Sequence, residues 1–221
     1  MISQAISIFK KEVKLEWRNK TAFNGILLYL VSTIFICYLS FNVRTGQLQV
    51  LTWNALFWII IVFANINGVA KSFLQEGEGR MLYYYTLCKP NVILSGKLLF
   101  NILLSVIISL VGFTVYAFIL GNPVNNYTFF LLTILFASIG FSAVLTLVSG
   151  IVSKANNSTA LMSILSFPIL LPILLMSVRL TKNAIDGINI GIMSDKLFTL
   201  ISVDAIVLAT AYILFPFIWR N

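Results

Sequence analysis

The residues in this sequence that could do chemistry are few and widely separated. Histidine is absent from the 221 residues, so the usual general base and the commonest metal ligand are both missing. Sequence motifs for zinc hydrolysis, for a serine nucleophile and for nucleotide phosphate binding are also absent. Asp204 is the one acidic residue that falls inside a predicted membrane span, and a single carboxyl makes no catalytic pair. These features argue against an enzyme and leave an intramembrane enzyme as a remote alternative.

Asp204 and two prolines are the candidate pathway or gating residues. An ionisable group inside a span is costly unless it faces a partner or a wet cavity. Asp204 is therefore either a gate or substrate contact, or a residue near the outer end of its span that reaches water. Pro168 and Pro172 remove backbone donors and should bend their span. A bent helix can be a moving part or a static one.

A stripe of small residues recurs every four positions in the fourth apolar run. It consists of Ser138, Ser142, Thr146 and Gly150. This spacing places the four residues on one helix face, which lets a neighbouring helix approach closely. Helix packing is favoured here over a transport path. Three asparagines in or near other spans could form hydrogen bonds between helices: Asn65, Asn67 and Asn101.

The longest polar break between apolar runs covers residues 71–97. It holds two of the seven acidic residues and four basic ones, so it cannot lie in hydrocarbon and must sit at one membrane face. Apolar residues interleave with its charges, which predicts a short amphipathic helix that could fill a groove on a soluble partner. The alternative is a solvated connector with interfacial tyrosines. Docking is the favoured interpretation.

The elements that position these residues are membrane helices. The chain is 59% hydrophobic and 10% charged, whereas soluble domains carry roughly 25% charged residues. Six apolar runs have the length of about 20 residues that crosses a bilayer. We therefore predict one all-α integral membrane domain over 1–221. Its six transmembrane helices are predicted at about 22–41, 50–70, 98–120, 127–152, 159–179 and 197–219.

The N-terminal segment 2–19 is predicted to be an amphipathic helix in the headgroup layer. Its apolar stripe is Ile2, Ile6, Phe9, Val13 and Trp17, and lysines and an arginine mark the other side. Trp53 and Trp58 are expected to be interfacial belt residues. The segments predicted on one side of the membrane hold eleven Lys and Arg, and those on the opposite side hold four. This bias predicts that both termini and the 71–97 segment are cytoplasmic. The basic net charge then reflects topology, so nucleic acid is not an expected partner.

Three stretches taken together resemble six-span ABC-type export permeases of the ABC-2 type. More narrowly, they resemble the haem exporter protein B (CcmB) family of cytochrome c maturation. The first stretch runs from Phe73 through acidic residues and Gly79 to Pro90 and the Gly96-Lys97 pair. The second is the proline-paired run 165–174, and the third is Asp204 followed by Leu208 and Pro216-Phe217. Departures include the run Glu-Gly-Glu-Gly-Arg at 76–80 and the Tyr83–Tyr85 triplet.

The resemblance implies a multi-pass permease subunit in the bacterial inner membrane. A separate ABC ATPase (CcmA-like) would bind the 71–97 coupling segment. The candidate contacts are Phe73, Glu76, Glu78, Arg80, Leu82 and Pro90. Further implied partners are a haem-handling membrane protein (CcmC-like), a small membrane subunit (CcmD-like), membrane lipids and, indirectly, a haem chaperone (CcmE-like). ATP would act through the ATPase to drive haem delivery or release of the loaded chaperone.

We expect no directly bound cofactor or metal, with haem as a possible substrate. Haem iron is held by His, Cys, Met or Tyr. This chain has no histidine, and Cys37 and Cys88 are predicted to lie on opposite sides of the membrane. We therefore expect the chain to transmit motion rather than to ligate haem iron. The alternatives are an export permease for a lipid, glycan or drug, and a scaffold that couples ATP turnover to partner rearrangement without transport.

Overall fold

The computed structural model describes residues 2–19, 21–45, 48–69, 73, 89–154, 159–188 and 190–220. The regular secondary structure in these ranges is α-helical. The helices are α1 (Ile2–Asn19), α2 (Thr21–Thr45), α3 (Val50–Val69), α4 (Pro90–Leu120), α5 (Tyr127–Lys154), α6 (Thr159–Asp186) and α7 (Ile190–Arg220). Among the described residues, α2 to α7 are the six helices long and apolar enough to cross a membrane. The predicted all-α fold with six spans is confirmed.

Helix α5 forms the centre of the bundle. It packs against α4, α6 and α7 and also contacts α3, and it is the most buried of the six spans. The stripe of small residues contributes to this position, because Ser138 and Thr146 contact α4 and Gly150 lies against Phe215 of α7. Helix α2 lies at the edge of the bundle, where it contacts α3 and α4.

Two helices begin earlier than the hydropathy pattern indicates. Helix α4 begins at Pro90, in place of the predicted 98. Lys89 is extended, with φ −67° and ψ 145°, and Pro90 occupies the first helical turn, where a missing N–H costs nothing. Helix α7 begins at Ile190, in place of the predicted 197. Hydropathy marks the hydrocarbon boundary, whereas these helices continue beyond it.

The predicted loop 180–196 is largely helical. Helix α6 extends to Asp186, and Gly187 then takes a positive φ of 69°. The N–H of Ile188 donates to the carbonyl of Asn183 at 3.1 Å, which is the hydrogen bond of a glycine-terminated helix end. The α4–α5 turn packs against this end, since the N–H of Asn126 donates to the carbonyl of Ala184 at 3.0 Å.

The interfacial roles expected for two tryptophans are wrong. Trp53 and Trp58 are 2% and 1% exposed and lie in an aromatic cluster that includes Phe57, Tyr116 and Phe130. Each indole N–H finds an internal acceptor, the carbonyl of Gly121 for Trp53 and the hydroxyl of Thr181 for Trp58. Because both indole N–H groups have acceptors, burial of the two rings leaves neither donor unpaired.

Candidate functional site

Phe73 lies at the junction between the polar segment and the bundle. Its side chain is fully buried, and its ring packs against Phe215 of α7 with the centroids 5.5 Å apart. Its main-chain N–H donates to the Ser149 hydroxyl of α5 at 3.1 Å. The Lys97 ammonium of α4 lies 4.6 Å from the centre of the ring, within the range of a cation–π contact. One residue of the polar segment therefore contacts α4, α5 and α7.

Lys97 extends this junction to the N-terminal helix. Its side chain is fully buried, and its Nζ lies 3.4 Å from Glu12 Oε1 of α1. Glu12 also pairs with the more exposed Lys11 at 3.2 Å. A buried ammonium is tolerated only with a charged partner and further polar or aromatic contacts, and here Glu12 and the Phe73 ring supply them. We call Glu12, Phe73, Lys97, Ser149 and Phe215 the coupling junction.

Gly96 explains how α1 comes close enough for this pair to form. A Cβ at Gly96 would lie 2.7 Å from Ile8 Cβ and 2.9 Å from the Ala5 carbonyl oxygen. Ala5 and Ile8 are buried against α4 at this point. The Gly96-Lys97 pair thus combines a close helix approach with a charge contact. From the sequence, both residues are predicted at the end of a connecting segment. The pairing of Lys97 could not be predicted, because Glu12 lies 85 positions earlier in the chain.

A seam of buried polar side chains connects α3, α4 and α5. Asn101 donates to the Thr146 hydroxyl at 2.7 Å, and Ser138 donates to the Ser109 hydroxyl at 3.0 Å. Asn65 reaches the same Ser109 hydroxyl at 3.5 Å. The interhelical role predicted for Asn65 and Asn101 is confirmed, whereas Asn67 is exposed. Ser142 and Gly150 of the stripe are also buried.

Asp204 lies near the middle of its span, about 15 Å along α7 from Ser194 at about 1.5 Å per residue. The residue is 3% exposed, and neither carboxyl oxygen has a hydrogen-bond partner among the described residues. Its carboxyl packs against Gly140 of α5 in the space that a Cβ would need, beside Ile173 of α6. This burial disfavours the interpretation in which Asp204 simply reaches water. The carboxyl instead lies where α5, α6 and α7 meet.

Pro168 and Pro172 lie on the exposed side of α6, and the helix continues through both of them. Leu170 and Ile173, which alternate with the prolines, are buried toward the bundle. Ile173 is also the α6 residue nearest the Asp204 and Gly140 contact. Both prolines therefore precede the part of α6 that faces the buried carboxyl, with Pro172 directly before Ile173.

Several predicted residues lie outside the described residues or away from the junction. The residues that the structure describes do not include four of the predicted docking contacts, Glu76, Glu78, Arg80 and Leu82, nor Cys88. Pro90 is half-buried at the start of α4, and Cys37 is a half-buried free thiol. Within the described ranges, no three His, Cys, Asp or Glu side chains group closely enough to hold a metal ion.

A second polar cluster, between α3 and α6, was not predicted from the sequence. The Thr181 hydroxyl donates to Asn54 Oδ1 at 2.8 Å and accepts from the Trp58 indole at 2.8 Å. Asn54 also donates to the Val178 carbonyl at 2.8 Å. Asn54 and Thr181 are 127 positions apart, so no local pattern could pair them. The feature of the sequence that could have indicated this cluster is the presence of polar residues within apolar runs.

These features define a polytopic helical membrane protein whose bundle is joined to a polar segment at one face. The family model described as "CcmB protein" matches residues 3–217, and the chain belongs to that family. The resemblance seen in the sequence is confirmed. The CcmB family comprises ABC-type permease components of haem export for cytochrome c maturation, which work with an ATPase and other Ccm proteins. A comparison with curated protein sequences found no match.

Proposed function

We propose that this chain transmits the conformational change of a separate ABC ATPase into the membrane, and that this drives haem delivery or release of a haem-loaded chaperone. The ATPase docks on the 71–97 segment, at the face that also carries α1. The chain lies in the bacterial inner membrane with both termini in the cytoplasm, as the distribution of Lys and Arg supports. A haem-handling membrane protein and a small membrane subunit complete the complex.

The coupling junction is the observation that supports this proposal. Phe73 opens the docking segment, and its buried ring and main-chain N–H contact three membrane helices at once. A close-packed contact of this kind transmits displacement, since protein interiors have low compressibility. Phe73 then acts as the anchor of the docking segment rather than as a surface contact. Glu76, Glu78, Arg80, Leu82 and Pro90 are the proposed contacts to the ATPase itself.

The far end of the transmission is the contact between Asp204, Gly140 and Ile173. Asp204 and the two prolines of α6 are the proposed gating elements, because a helix that contains two prolines lies beside a buried carboxyl without a described partner. A rearrangement of α6 against α5 and α7 would expose the carboxyl to water or to a donor. A buried ionisable group inside a span is an expected feature of a functional site.

Haem is the proposed substrate, and the iron is not ligated by this chain. The chain has no histidine, and Cys37 is an isolated, half-buried thiol. The chain then needs no resident cofactor, and ATP acts through the partner subunit. A ligated-iron spectrum from the purified subunit, with haem bound stoichiometrically, would contradict this part of the proposal.

The test is a pair of phenylalanine substitutions in the assembled complex. Phe73→Ala should leave ATP binding and hydrolysis in place but reduce c-type cytochrome formation at least tenfold, because the docking segment loses its anchor. Phe118→Ala is the matched control, since Phe118 is 90% exposed on α4. Normal assembly and normal cytochrome formation in Phe73→Ala would refute the proposal. Phe73→Leu, which keeps most of the packing, should retain partial function.

A flux measurement distinguishes a transport role from the scaffold alternative. The complex is reconstituted in proteoliposomes, and haem movement is followed together with ATP hydrolysis. ATP-dependent haem movement that is lost in Phe73→Ala supports a transport role. Stimulated ATP hydrolysis with neither haem movement nor release of the loaded chaperone supports the scaffold.

A further inference from the structure

Helix α6 packs into the bundle differently before and after its second proline. After Pro172 the buried side chains lie on more than one face of the helix: Ile173, Ser177, Leu180, Thr181, Asn183, Ala184 and Ile185. Before Pro172 they recur once every four residues, at Met162, Ser166 and Leu170. Residues four apart share one face of a helix, so this earlier part is buried along a single narrow stripe. We call residues 173–186 the clamp and residues 159–167 the arm.

Hydrogen bonds also join the clamp to two neighbouring elements. The Thr181 hydroxyl donates to Asn54 Oδ1 of α3 at 2.8 Å. The main-chain N–H of Asn126, in the turn between α4 and α5, donates to the Ala184 carbonyl at 3.0 Å. Both Asn54 and Thr181 are buried, so separation of the clamp from α3 would leave polar groups unpaired inside the bundle, which is costly.

The prolines weaken the helix between the arm and the clamp. Pro168 and Pro172 have no N–H, so the carbonyls of Ile164 and Pro168 lose their usual donors within the helix. The two missing hydrogen bonds are four residues apart and lie on the same side of the helix. In the arm, the buried hydroxyl of Ser166 donates to the carbonyl of Ser163 in the same helix at 3.4 Å. Residues 168–172 are therefore the place where α6 bends most easily.

The arm lies at the level of the coupling junction. Helices α5 and α6 run antiparallel, with Gly140 against Ile173. Ser149, which accepts from the N–H of Phe73, is nine residues further along α5. Its level on α6 is that of Ile164, about 13.5 Å from Ile173 at about 1.5 Å per residue. The junction therefore contacts α5 beside the arm, and residues 168–172 separate this level from Ile173.

We propose that α6 is a hinged helix whose arm moves away from α5 when the ATPase displaces the docking segment, while the clamp stays in place. This inference rests on the proposed function, since the ATPase supplies the displacement. The contact of Asp204 with Gly140 and Ile173 lies directly beyond the hinge. Movement of the arm therefore opens a path to Asp204 from the end of the bundle that carries the coupling junction, and the clamp keeps the opposite end closed.

The test measures two distances between spin labels by double electron–electron resonance in the assembled complex. Cys37 and Cys88 are replaced by serine. Phe118→Cys carries the reference label, and either Ile164→Cys in the arm or Lys182→Cys in the clamp carries the second. All three labelled positions are exposed. The complex in nanodiscs is compared without nucleotide and with ATP and vanadate.

We expect the distance to the arm label to change by about 4 Å and the distance to the clamp label to stay constant. A bend of about 20°, acting over the eight residues or about 12 Å between Pro172 and Ile164, produces this change. Equal changes at both labels would show that α6 moves as a rigid body and would overturn the hinge. Unchanged distances in a complex that forms c-type cytochromes normally would also overturn it.

Substitution of the prolines shows whether the hinge causes the movement. Pro168→Ala/Pro172→Ala restores both missing hydrogen bonds and should reduce the change at the arm label at least twofold. The unfolding midpoint should not fall, because the helix already continues through both residues. The matched control Ile169→Ala/Leu171→Ala alters exposed side chains of the same segment and should keep the full change. A full change in the proline variant would overturn the proposal.

Phe73→Ala distinguishes a failure of this inference from a failure of the proposed function. If the docking segment moves the arm through its anchor, the change at the arm label should disappear in Phe73→Ala. A change at the arm label alone that persists in Phe73→Ala would contradict the proposed role of Phe73 and support the hinge. A rigid-body movement of α6 that disappears in Phe73→Ala would overturn the hinge and support the proposed function.

Discussion

Lys97 and Glu12 join the N-terminal helix to the first turns of α4 through a contact of 3.4 Å between Nζ and Oε1. Lys97 is fully buried, and Glu12 retains only 13% of its side-chain exposure. The pair lies next to Phe73, the one described residue of the docking segment before Lys89. The orientation of α1 and the anchoring of the docking segment therefore depend on the same ammonium group.

The first prediction concerns removal of one partner from this pair. Lys97→Met should cost less than Glu12→Gln, because Glu12 is partly exposed and keeps its contact with Lys11. Glu12→Gln should destabilise the folded chain by about 3–5 kcal/mol, because it removes the carboxylate beside the buried Lys97 ammonium. For a chain of this size the loss corresponds to roughly 10 °C in the unfolding midpoint. Thermal unfolding of the purified complex in detergent, followed by size exclusion, measures it.

The double variant and a neighbouring lysine are the controls for this pair. Lys97→Met/Glu12→Leu should recover much of the lost stability, since an apolar pair of similar size needs no charge compensation. Lys11 also contacts Glu12, but it is 34% exposed, so Lys11→Gln should cost no more than about 1 kcal/mol. A Glu12→Gln variant as stable as the wild type would show that the pair contributes nothing.

The second prediction concerns the close approach of α1 at Gly96. Gly96→Ala should cost about 1–3 kcal/mol, because the new methyl overlaps Ile8 and the Ala5 carbonyl. Gly25→Ala is the matched control in α2, where nothing lies within 4 Å of the added Cβ. That change should be neutral or stabilise by up to about 1 kcal/mol through helix propensity. Unfolding midpoints give both values, and equal effects of the two changes would contradict a tight contact at Gly96.

The fold could be predicted to a large extent because hydropathy and helix length act locally. The six apolar runs and the amphipathic N-terminal helix are read from neighbouring residues, and all seven are helices in the structure. Helix ends were less accurate, as at Pro90 and Ile190. Hydropathy reports the edge of the hydrocarbon, while a helix ends where caps such as Gly187 stop it.

The candidate site was only partly predictable, because its contacts join distant parts of the chain. Lys97 was assigned to a connecting segment, since nothing near it in the sequence indicates a buried partner at position 12. Phe73 is predicted from the sequence as a contact to the ATPase, yet its ring packs against Lys97 and Phe215 and its main-chain N–H donates to Ser149. Periodicity tells which residues share a helix face, but not which helix covers that face.

The third prediction concerns the polar seam between α4 and α5. Asn101→Leu should cost about 1–2 kcal/mol, since it removes the hydrogen bond to Thr146 inside a span. Thr146→Val should cost a similar amount, and the double variant should cost less than the sum by about 0.6 kcal/mol or more. Unfolding midpoints of the four proteins complete the cycle. Strict additivity would show that the Asn101 and Thr146 side chains do not interact.

The fourth prediction separates a packing role of Asp204 from a functional one. Gly140→Ala should cost about 1–3 kcal/mol, because its methyl overlaps the Asp204 carboxyl and lies 2.9 Å from Ile173 Cδ1. Adding Asp204→Ala should relieve the overlap, which gives a favourable coupling between the two changes. Both effects follow from shape alone. Unfolding midpoints of the single and double variants measure them.

Asp204→Asn keeps the shape of the side chain and removes only its ability to ionise. If Asp204 gates the pathway, this variant should keep or raise the unfolding midpoint, since burial of a carboxylate is costly, yet lower c-type cytochrome formation at least tenfold. Ser138→Ala, one turn before Ser142 in the buried stripe of α5, should leave cytochrome formation near normal. Undiminished cytochrome formation in Asp204→Asn would assign Asp204 to packing and leave the prolines of α6 as the remaining gating candidates.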